Sequence, residues 1–228
     1  MTRTGPGPRL RSRSQLSDEV AAHVRELIMS GRVRPGEFLR LDQLAADLGV
    51  SVTPVREALA ALRGEDMVEL EPSRGYVVAP LSREDIEDLF GLQAQLAGEV
   101  AARAAVRTTR EVLDELDAAQ KALAAALRSV DTAEVERLEY EFHRVLNRSA
   151  GARKLSWFLR SAARYLPQHF YSSDPGWRRS VRRDHAAILK ALRAGDAEAA
   201  RTAMEQHVTE GGHRLLAHLE EIGMWEQD

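Results

Sequence analysis

The sequence predicts a mainly α-helical protein in two parts: three helices with a small β-hairpin, then an antiparallel all-α helical bundle. The composition of the 228 residues favours helix, because aromatic residues make up only 5% and the apolar set is rich in Ala and Leu. Strand-like runs occur only before residue 80, whereas apolar residues recur at helical spacing on both sides of it. These observations together place a boundary near residue 80.

The N-terminal part is predicted from apolar periodicity and from residues that start and stop helices. A first helix is predicted over 16–28 with Ser17 as its N-cap. A second follows over 41–48 and ends at Gly49. A third opens at Ser51 or Thr53 and carries a proline in its first turn, where the missing N–H costs least.

Two short β-prone runs follow the third helix. They span 67–70 and 76–79 and flank a turn that contains Gly75, which predicts a hairpin. Three helices with a tight second turn and a terminal hairpin are the element order of a winged helix-turn-helix, a DNA-binding fold. The predicted domains are a flexible basic arm, this winged unit and the helical bundle, at 1–14, 15–80 and 81–228.

Composition excludes several classes of protein. The chain has no cysteine, which removes disulfides, thiolate metal sites and cysteine nucleophiles. No apolar run reaches the roughly 18 residues of a membrane span, and no signal peptide is visible, so we expect no membrane partner and a cytoplasmic location. The net charge of −3 argues against a uniformly basic surface but allows a local one.

The C-terminal part is predicted to contain six helices and no strand. Capping patterns at Ser82, Thr108 and Asp131, and a Gly195-Asp196 pair, mark helix ends. The predicted helices span 83–106, 109–128, 132–149, 153–165, 176–194 and 196–221.

Four side chains in the bundle are candidate metal ligands. Glu139 and His143 are four residues apart and therefore lie on one face of a helix. His185 and His207 lie beside apolar residues on two other predicted helices. Imidazole suits zinc, nickel, iron or copper, and a carboxylate extends the choice to manganese. Ordinary hydrogen-bonded core histidines are the alternative.

The segment LDQLAADLGVSVTPVREALAALRGEDMVELEPSRGYVVAP resembles the DNA-binding head of the GntR family of bacterial transcription regulators. The resemblance implies that the third helix is the recognition helix. It implies that Ser51, Thr53 and Arg56 contact phosphates or bases, and that Gly75 lets the wing backbone approach the minor groove. We add Arg74 to this set because of its charge.

The head departs from that family pattern at two positions. Val52 stands where many members have Arg, and Asp42 stands where many have a basic residue. Residues 1–79 contain eleven Arg and no Lys against eleven acidic residues, and four of the arginines lie in the arm. We therefore expect the arm to contribute to phosphate binding.

The segments EYEFHRVLNRSAG and DHAAILKALRAGDAEAARTAMEQHV resemble the all-helical FCD effector domain of FadR-type GntR regulators, in the six-helix VanR-like variant. Some members of this group contain a divalent metal. The resemblance to them implies that the metal ligands here are Glu139, His143, His185 and His207. Glu139 replaces the usual Asp, so it would bind directly or through water. Zinc is the expected ion, with nickel or manganese as alternatives.

The same resemblance implies a small organic acid as effector. The Arg and Glu that many members carry early in the first effector helix correspond here to Gln93 and Ala97. A charged clamp is therefore absent at that place, and Gln93 is the candidate that would hydrogen-bond the effector.

We predict a ligand-responsive DNA-binding regulator, in the family's common mode a repressor. It would bind a near-palindromic double-stranded operator as a homodimer. A metal sensor with the ion as its signal is one alternative, and a metal-dependent enzyme is another. The enzyme has no support beyond the ligands, because no catalytic pairing of residues or phosphate-binding loop is present and no catalytic residue is assigned.

Overall fold

The computed structural model describes residues 13–225, with side chains described from Gln15 onward. They divide into a unit that ends at Leu81 and a unit that begins at Ser82. Apart from Arg13 and Ser14, which begin the first helix, the predicted basic arm lies outside the described residues. The predicted fold class is confirmed.

The first unit contains three helices and a three-stranded antiparallel sheet. The helices are α1 (Arg13–Met29), α2 (Leu41–Leu48) and α3 (Val52–Arg63), and the strands are β1 (Phe38–Leu39), β2 (Val68–Glu71) and β3 (Gly75–Val78). The sheet order is β1-β3-β2. β2 and β3 form the predicted hairpin, with Val68 opposite Val78 and Glu71 opposite Gly75. β1 was not predicted, because two residues carry no periodicity and their partners lie far along the chain.

α1 is longer than predicted at its N-terminus. The predicted N-cap, Ser17, lies inside the helix, and its hydroxyl donates to Glu57 of α3 at 3.1 Å. The apolar faces of α1 and α3 form the centre of this unit, which buries Val24, Val55 and Leu59. The apolar periodicity was therefore informative here, whereas the capping pattern was not.

Arg25 of α1 closes one side of this core. Its guanidinium donates twice to the Glu65 carboxylate, with both distances 2.7 Å, and its side chain is only 4% exposed. Two parallel N–H···O bonds give this pair a defined geometry that a lysine ammonium cannot reproduce. The pair ties α1 to the turn that follows α3.

The second unit contains seven α-helices within the described residues, one more than predicted. They are α4 (Arg83–Ala105), α5 (Arg110–Ala126), α6 (Thr132–Ser149), α7 (Arg153–Ala162), α8 (Gln168–Ser173), α9 (Pro175–Ala194) and α10 (Ala197–Glu221), with a 3₁₀ turn at Ala163–Tyr165. None of the described helices is long and apolar enough to cross a bilayer.

Most of the predicted helix ends in this unit are correct. Ser82 and Asp85 form the reciprocal capping box that opens α4, and Asp131 and Asp196 cap α6 and α10. The cap of α5 is Thr109 rather than Thr108. Thr108 is unavailable because its hydroxyl donates to the Ala104 carbonyl of the preceding helix at 2.7 Å.

The region around residue 170 is the main correction. The sequence predicted no helix between residues 165 and 176, but the chain forms the short helix α8 and then opens α9 at Pro175. Asp174 caps α9 by accepting from the Trp177 amide at 2.6 Å. The six residues of α8 are too few to give a readable apolar period.

α4 and α10 form the most extensive helix pair of this unit, and glycines set how closely they pack. A Cβ at Gly212 would lie 2.8 Å from the Phe90 ring, and one at Gly98 would lie 2.7 Å from the Glu205 side chain. The absence of a side chain at both glycines lets α10 lie deep against the core to which α4, α6 and α9 contribute.

We expect Arg25→Met to destabilise the first unit by about 2 kcal/mol, because it removes the two hydrogen bonds that Arg25 donates to the partly buried Glu65 carboxylate. Hydrogen exchange of the α1 and α3 amides, followed by mass spectrometry, reports opening of this unit alone. Arg63→Met, at an exposed position of α3, is the control and should leave exchange unchanged. Equal protection in the two variants would contradict a structural role for the pair.

Candidate metal centre and DNA-binding surface

The structure brings the four predicted metal ligands together. Glu139 and His143 extend from α6, His185 from α9 and His207 from α10. One ligand atom from each lies within 4.8 Å of all the others. The Glu139 Oε1 atom is central: it lies 3.1, 3.4 and 3.6 Å from the Nε2 atoms of His143, His185 and His207.

Buried polar atoms of this cluster lack hydrogen-bond partners among the described residues. These atoms are Glu139 Oε2, His185 Nε2 and His207 Nδ1. The His185 side chain is fully buried, and that of His207 is 9% exposed. An unpaired polar atom removed from water is costly, and a cation held by Glu139 and by His185 Nε2 would remove that cost for those two residues. The donor set of three imidazoles and one carboxylate therefore fits a divalent transition metal.

Burial and the charges of neighbouring groups shift the pKa values of Glu139, His185 and His207 in opposite directions. Burial lowers the pKa of His185 to about 4, against the attraction of Glu139. Burial would also lower the pKa of His207, but Asp184 and Glu139 outweigh it and raise that pKa to about 9. Burial would raise the pKa of Glu139, yet the three histidines hold it well below its ordinary value. Without a metal, the site therefore keeps an ionised carboxylate beside a protonated His207.

Three side chains around the cluster were not predicted from the sequence. Gln120 of α5 bonds His185 Nδ1 at 2.8 Å, and the Phe142 ring stacks on His185 with centroids 3.9 Å apart. The Asp184 carboxylate lies 3.8 Å from His207 Nδ1. The only sequence signal was the position of Asp184 and Phe142 next to two of the candidate ligands.

The cluster lies at the wall of a cavity of about 660 Å³. Glu139, His143 and His207 line the cavity, together with apolar side chains from several helices. Arginines also line it: Arg144, Arg148, Arg153 and Arg160. A small molecule in this cavity would meet the candidate ligands, an apolar wall and a basic region.

Gln93 lines the same cavity. Its side chain is buried, and one N–H of its Nε2 donates to the Ala162 carbonyl at the end of α7 at 3.0 Å. The residue therefore links α4 to α7, and its role as an effector contact stays a prediction, since an amide has a second N–H and an acceptor oxygen.

The candidate DNA-binding residues of α3 lie at its exposed N-terminal end. Ser51 is the N-cap residue by position, but its hydroxyl makes no capping hydrogen bond. Thr53 and Arg56 are exposed, and Arg56 makes no ion pair with another described residue. Helix N-termini present backbone N–H groups that suit phosphate.

The hairpin of β2 and β3 is the wing, and its two candidate residues differ in how readily they could contact DNA. Gly75 has φ +107°, a conformation that side chains other than glycine rarely adopt, so the turn of the hairpin requires it. Arg74 pairs with Glu71 at 2.9 Å, and its guanidinium carbon lies 4.8 Å from the centre of the Phe38 ring. Arg74 would have to exchange the Glu71 contact to reach a phosphate.

A winged helix-turn-helix unit joined to a helical domain with its own cavity defines a class: transcription regulators with a DNA-binding head and a second, helical domain. The chain belongs to the GntR family of bacterial regulatory proteins. The gntR family model matches residues 16–78, and the FCD domain model matches residues 88–210. The protein is therefore a DNA-binding transcriptional regulator, and the enzyme alternative is rejected.

Relatives and solved structures agree with this assignment. The chain is 28% identical over 186 residues to an uncharacterized HTH-type transcriptional regulator of Mycobacterium tuberculosis, covering 82% of this chain and 75% of that one. It is 29% identical over 220 residues to the Uxu operon transcriptional regulator of Escherichia coli, covering 87% and 86%. The structure of E. coli McbR/YncC has the same fold, with TM-score 0.69, 22% identity and coverage of 90% and 98%.

Proposed function

We propose that this regulator is a repressor whose helical domain binds a small organic acid beside a divalent metal ion. The observation that carries this proposal is the convergence of Glu139 and three histidines, with unpaired buried atoms, at the wall of a 660 Å³ cavity. The head supplies DNA binding, and the cavity supplies the place for a signal. Repression is proposed from the common mode of the family.

The metal would be held by Glu139, His143, His185 and His207, with zinc as the first candidate and nickel or manganese next. Glu139, whose pKa is held well below its ordinary value, supplies one negative charge for the cation, whereas the nearby Asp184 is itself paired with Arg183 at 3.0 Å. When bound, the ion would supply a Lewis-acidic position for an oxygen ligand. Glu139 would coordinate directly or through water.

The cavity supports an organic acid as the effector. Arg144 and Arg148 are engaged by Glu141 and Glu115 at 2.6 Å, whereas Arg153 and Arg160 make no ion pair with other described residues. A carboxylate is the group that both a bound metal and a free guanidinium bind well. Because Gln93 replaces a charged clamp on α4, the cationic partner for the effector would be Arg160 on α7.

DNA binding is proposed to require two copies of the chain. One recognition helix reads only a few base pairs, so a homodimer on a near-palindromic site gives useful affinity. Ser51, Thr53 and Arg56 are the proposed contacts from α3, with Arg74 and Gly75 from the wing.

Metal removal is the first test. We expect protein purified without chelator to carry about one metal ion per chain by mass spectrometry and to melt at a lower temperature after chelation, since the ion joins α6, α9 and α10. His185→Ala should abolish both the bound metal and the fall in melting temperature on chelation. Glu139→Ala should reduce them only in part, and Glu139→Asp should preserve them. His213→Ala, an exposed histidine on α10, is the control.

Metal binding to this site should also depend on pH. Because the pKa of His207 is raised to about 9, metal binding at neutral pH must displace a proton from that ring. The apparent metal affinity should therefore fall by up to about tenfold for each pH unit below 9. If added zinc, nickel and manganese all leave the melting temperature unmoved, the proposed metal site is wrong.

The effector class is tested by melting the metal-loaded protein with carboxylates (succinate, citrate, gluconate) and neutral counterparts (succinamide, glucose). We expect only the carboxylates to raise the melting temperature. They should raise it less in Arg160→Ala than in the control Arg179→Ala, which changes an exposed arginine outside the cavity lining. Release of operator DNA by the acid supports an effector. Release or binding caused by metal alone supports the metal-sensor alternative.

We expect Arg56→Ala to weaken operator binding by about 1–3 kcal/mol if the guanidinium reads a base edge. Fluorescence anisotropy on sites selected from random DNA provides both the affinity and the symmetry of the site. Arg63→Ala, exposed at the other end of α3, should bind nearly as wild type. Unchanged affinity of Arg56→Ala would remove α3 as the recognition helix.

A further inference from the structure

His185 is oriented by Gln120, a residue that belongs to neither the ligand set nor the cavity wall. The Gln120 side-chain oxygen lies 2.8 Å from His185 Nδ1, and its side-chain nitrogen donates to the Arg182 carbonyl at 3.4 Å. Because the nitrogen faces a carbonyl, the oxygen must face the histidine. The amide therefore accepts a hydrogen bond from an Nδ1–H of His185.

This hydrogen bond determines which nitrogen of His185 faces the cluster with a lone pair. With the hydrogen on Nδ1, the neutral ring presents an unprotonated Nε2 that lies 3.4 Å from Glu139 Oε1 and has no hydrogen-bond partner. Phe142 holds the ring plane, since the two rings are inclined by only 9°. Gln120 thus sets the tautomer and the rotation of the ring, and Phe142 sets its plane.

We propose that Gln120 is a positioning residue that keeps His185 ready to bind the metal ion. This inference rests on the proposed metal site. A metal-binding imidazole must offer a lone pair, and a hydrogen-bond acceptor at its other nitrogen favours that form and orients the ring. His185 is fully buried, so water has no direct access to replace the lost acceptor.

A purely structural role for Gln120 makes a different prediction. α5 and α9 are also joined by the ion pair between Asp117 and Arg193, and α5 is anchored by its own buried Leu116 and Leu123. Without metal, a His185 that loses Gln120 can move its proton to Nε2 and donate toward Glu139. The metal-free protein therefore tolerates the loss of Gln120, whereas a metal-bound His185 cannot protonate Nε2.

The experiment compares Gln120→Met, which keeps the shape but removes the acceptor, with Gln120→Glu, which retains an acceptor. Gln95→Met, at an exposed position of α4, is the matched control. The full-length protein is stripped of metal and titrated with Zn²⁺ in competition with a chromophoric chelator. Melting temperatures are recorded with and without Zn²⁺.

We expect Gln120→Met to bind Zn²⁺ about 10- to 100-fold more weakly than wild type, and Gln120→Glu and Gln95→Met to bind as tightly as wild type or nearly so. The metal-free melting temperatures of all four proteins should agree. Zn²⁺ affinity of Gln120→Met equal to that of wild type overturns the inference alone, as does an equal loss of stability with and without Zn²⁺. Failure of wild type to bind any metal overturns the proposed site together with it.

Discussion

The burial of the Glu139 carboxylate is the constraint on which the helical domain depends. An ionised carboxylate inside a helical core is costly unless positive charge or hydrogen-bond donors surround it. Here the neighbouring groups are three imidazoles from α6, α9 and α10, and the raised pKa of His207 supplies a proton when no metal is present. The cluster is consequently a junction of three helices that requires one cation, either a proton or a metal ion.

The rest of the domain can be understood as the scaffold for that junction. The Gly195-Asp196 turn joins α9 directly to α10, so His185 and His207 face each other across one connection. Small residues let α10 approach α4, because Gly98 and Gly212 leave room for the side chains of Glu205 and Phe90. This approach places α10 deep enough for His207 to reach Glu139, which lies on a different helix and far away in sequence.

The features predicted correctly from sequence were those encoded locally. The caps of α4, α6 and α10 follow from short polar patterns, and the spacing of four residues places Glu139 and His143 on one face of α6. The features that were missed depend on distant partners or very short segments. β1 exists only through its pairing with β3, α8 is too short to show periodicity, and Gln120 is an ordinary polar residue of α5 until α9 places His185 beside it.

The charges of the site explain why a metal and an anionic effector would belong together. The Asp184 carboxylate is paired with Arg183 at 3.0 Å, so without metal the negative charge of Glu139 is balanced by no more than the positive charge of a protonated His207. A divalent cation in place of that proton would give the cluster a net positive charge and add a position that attracts an oxygen ligand. Arg153 and Arg160 at the basic region of the cavity are not enough by themselves, because both are exposed and screened by solvent. The proposed divalent ion would therefore make this cavity better suited to an acid than the metal-free cluster is.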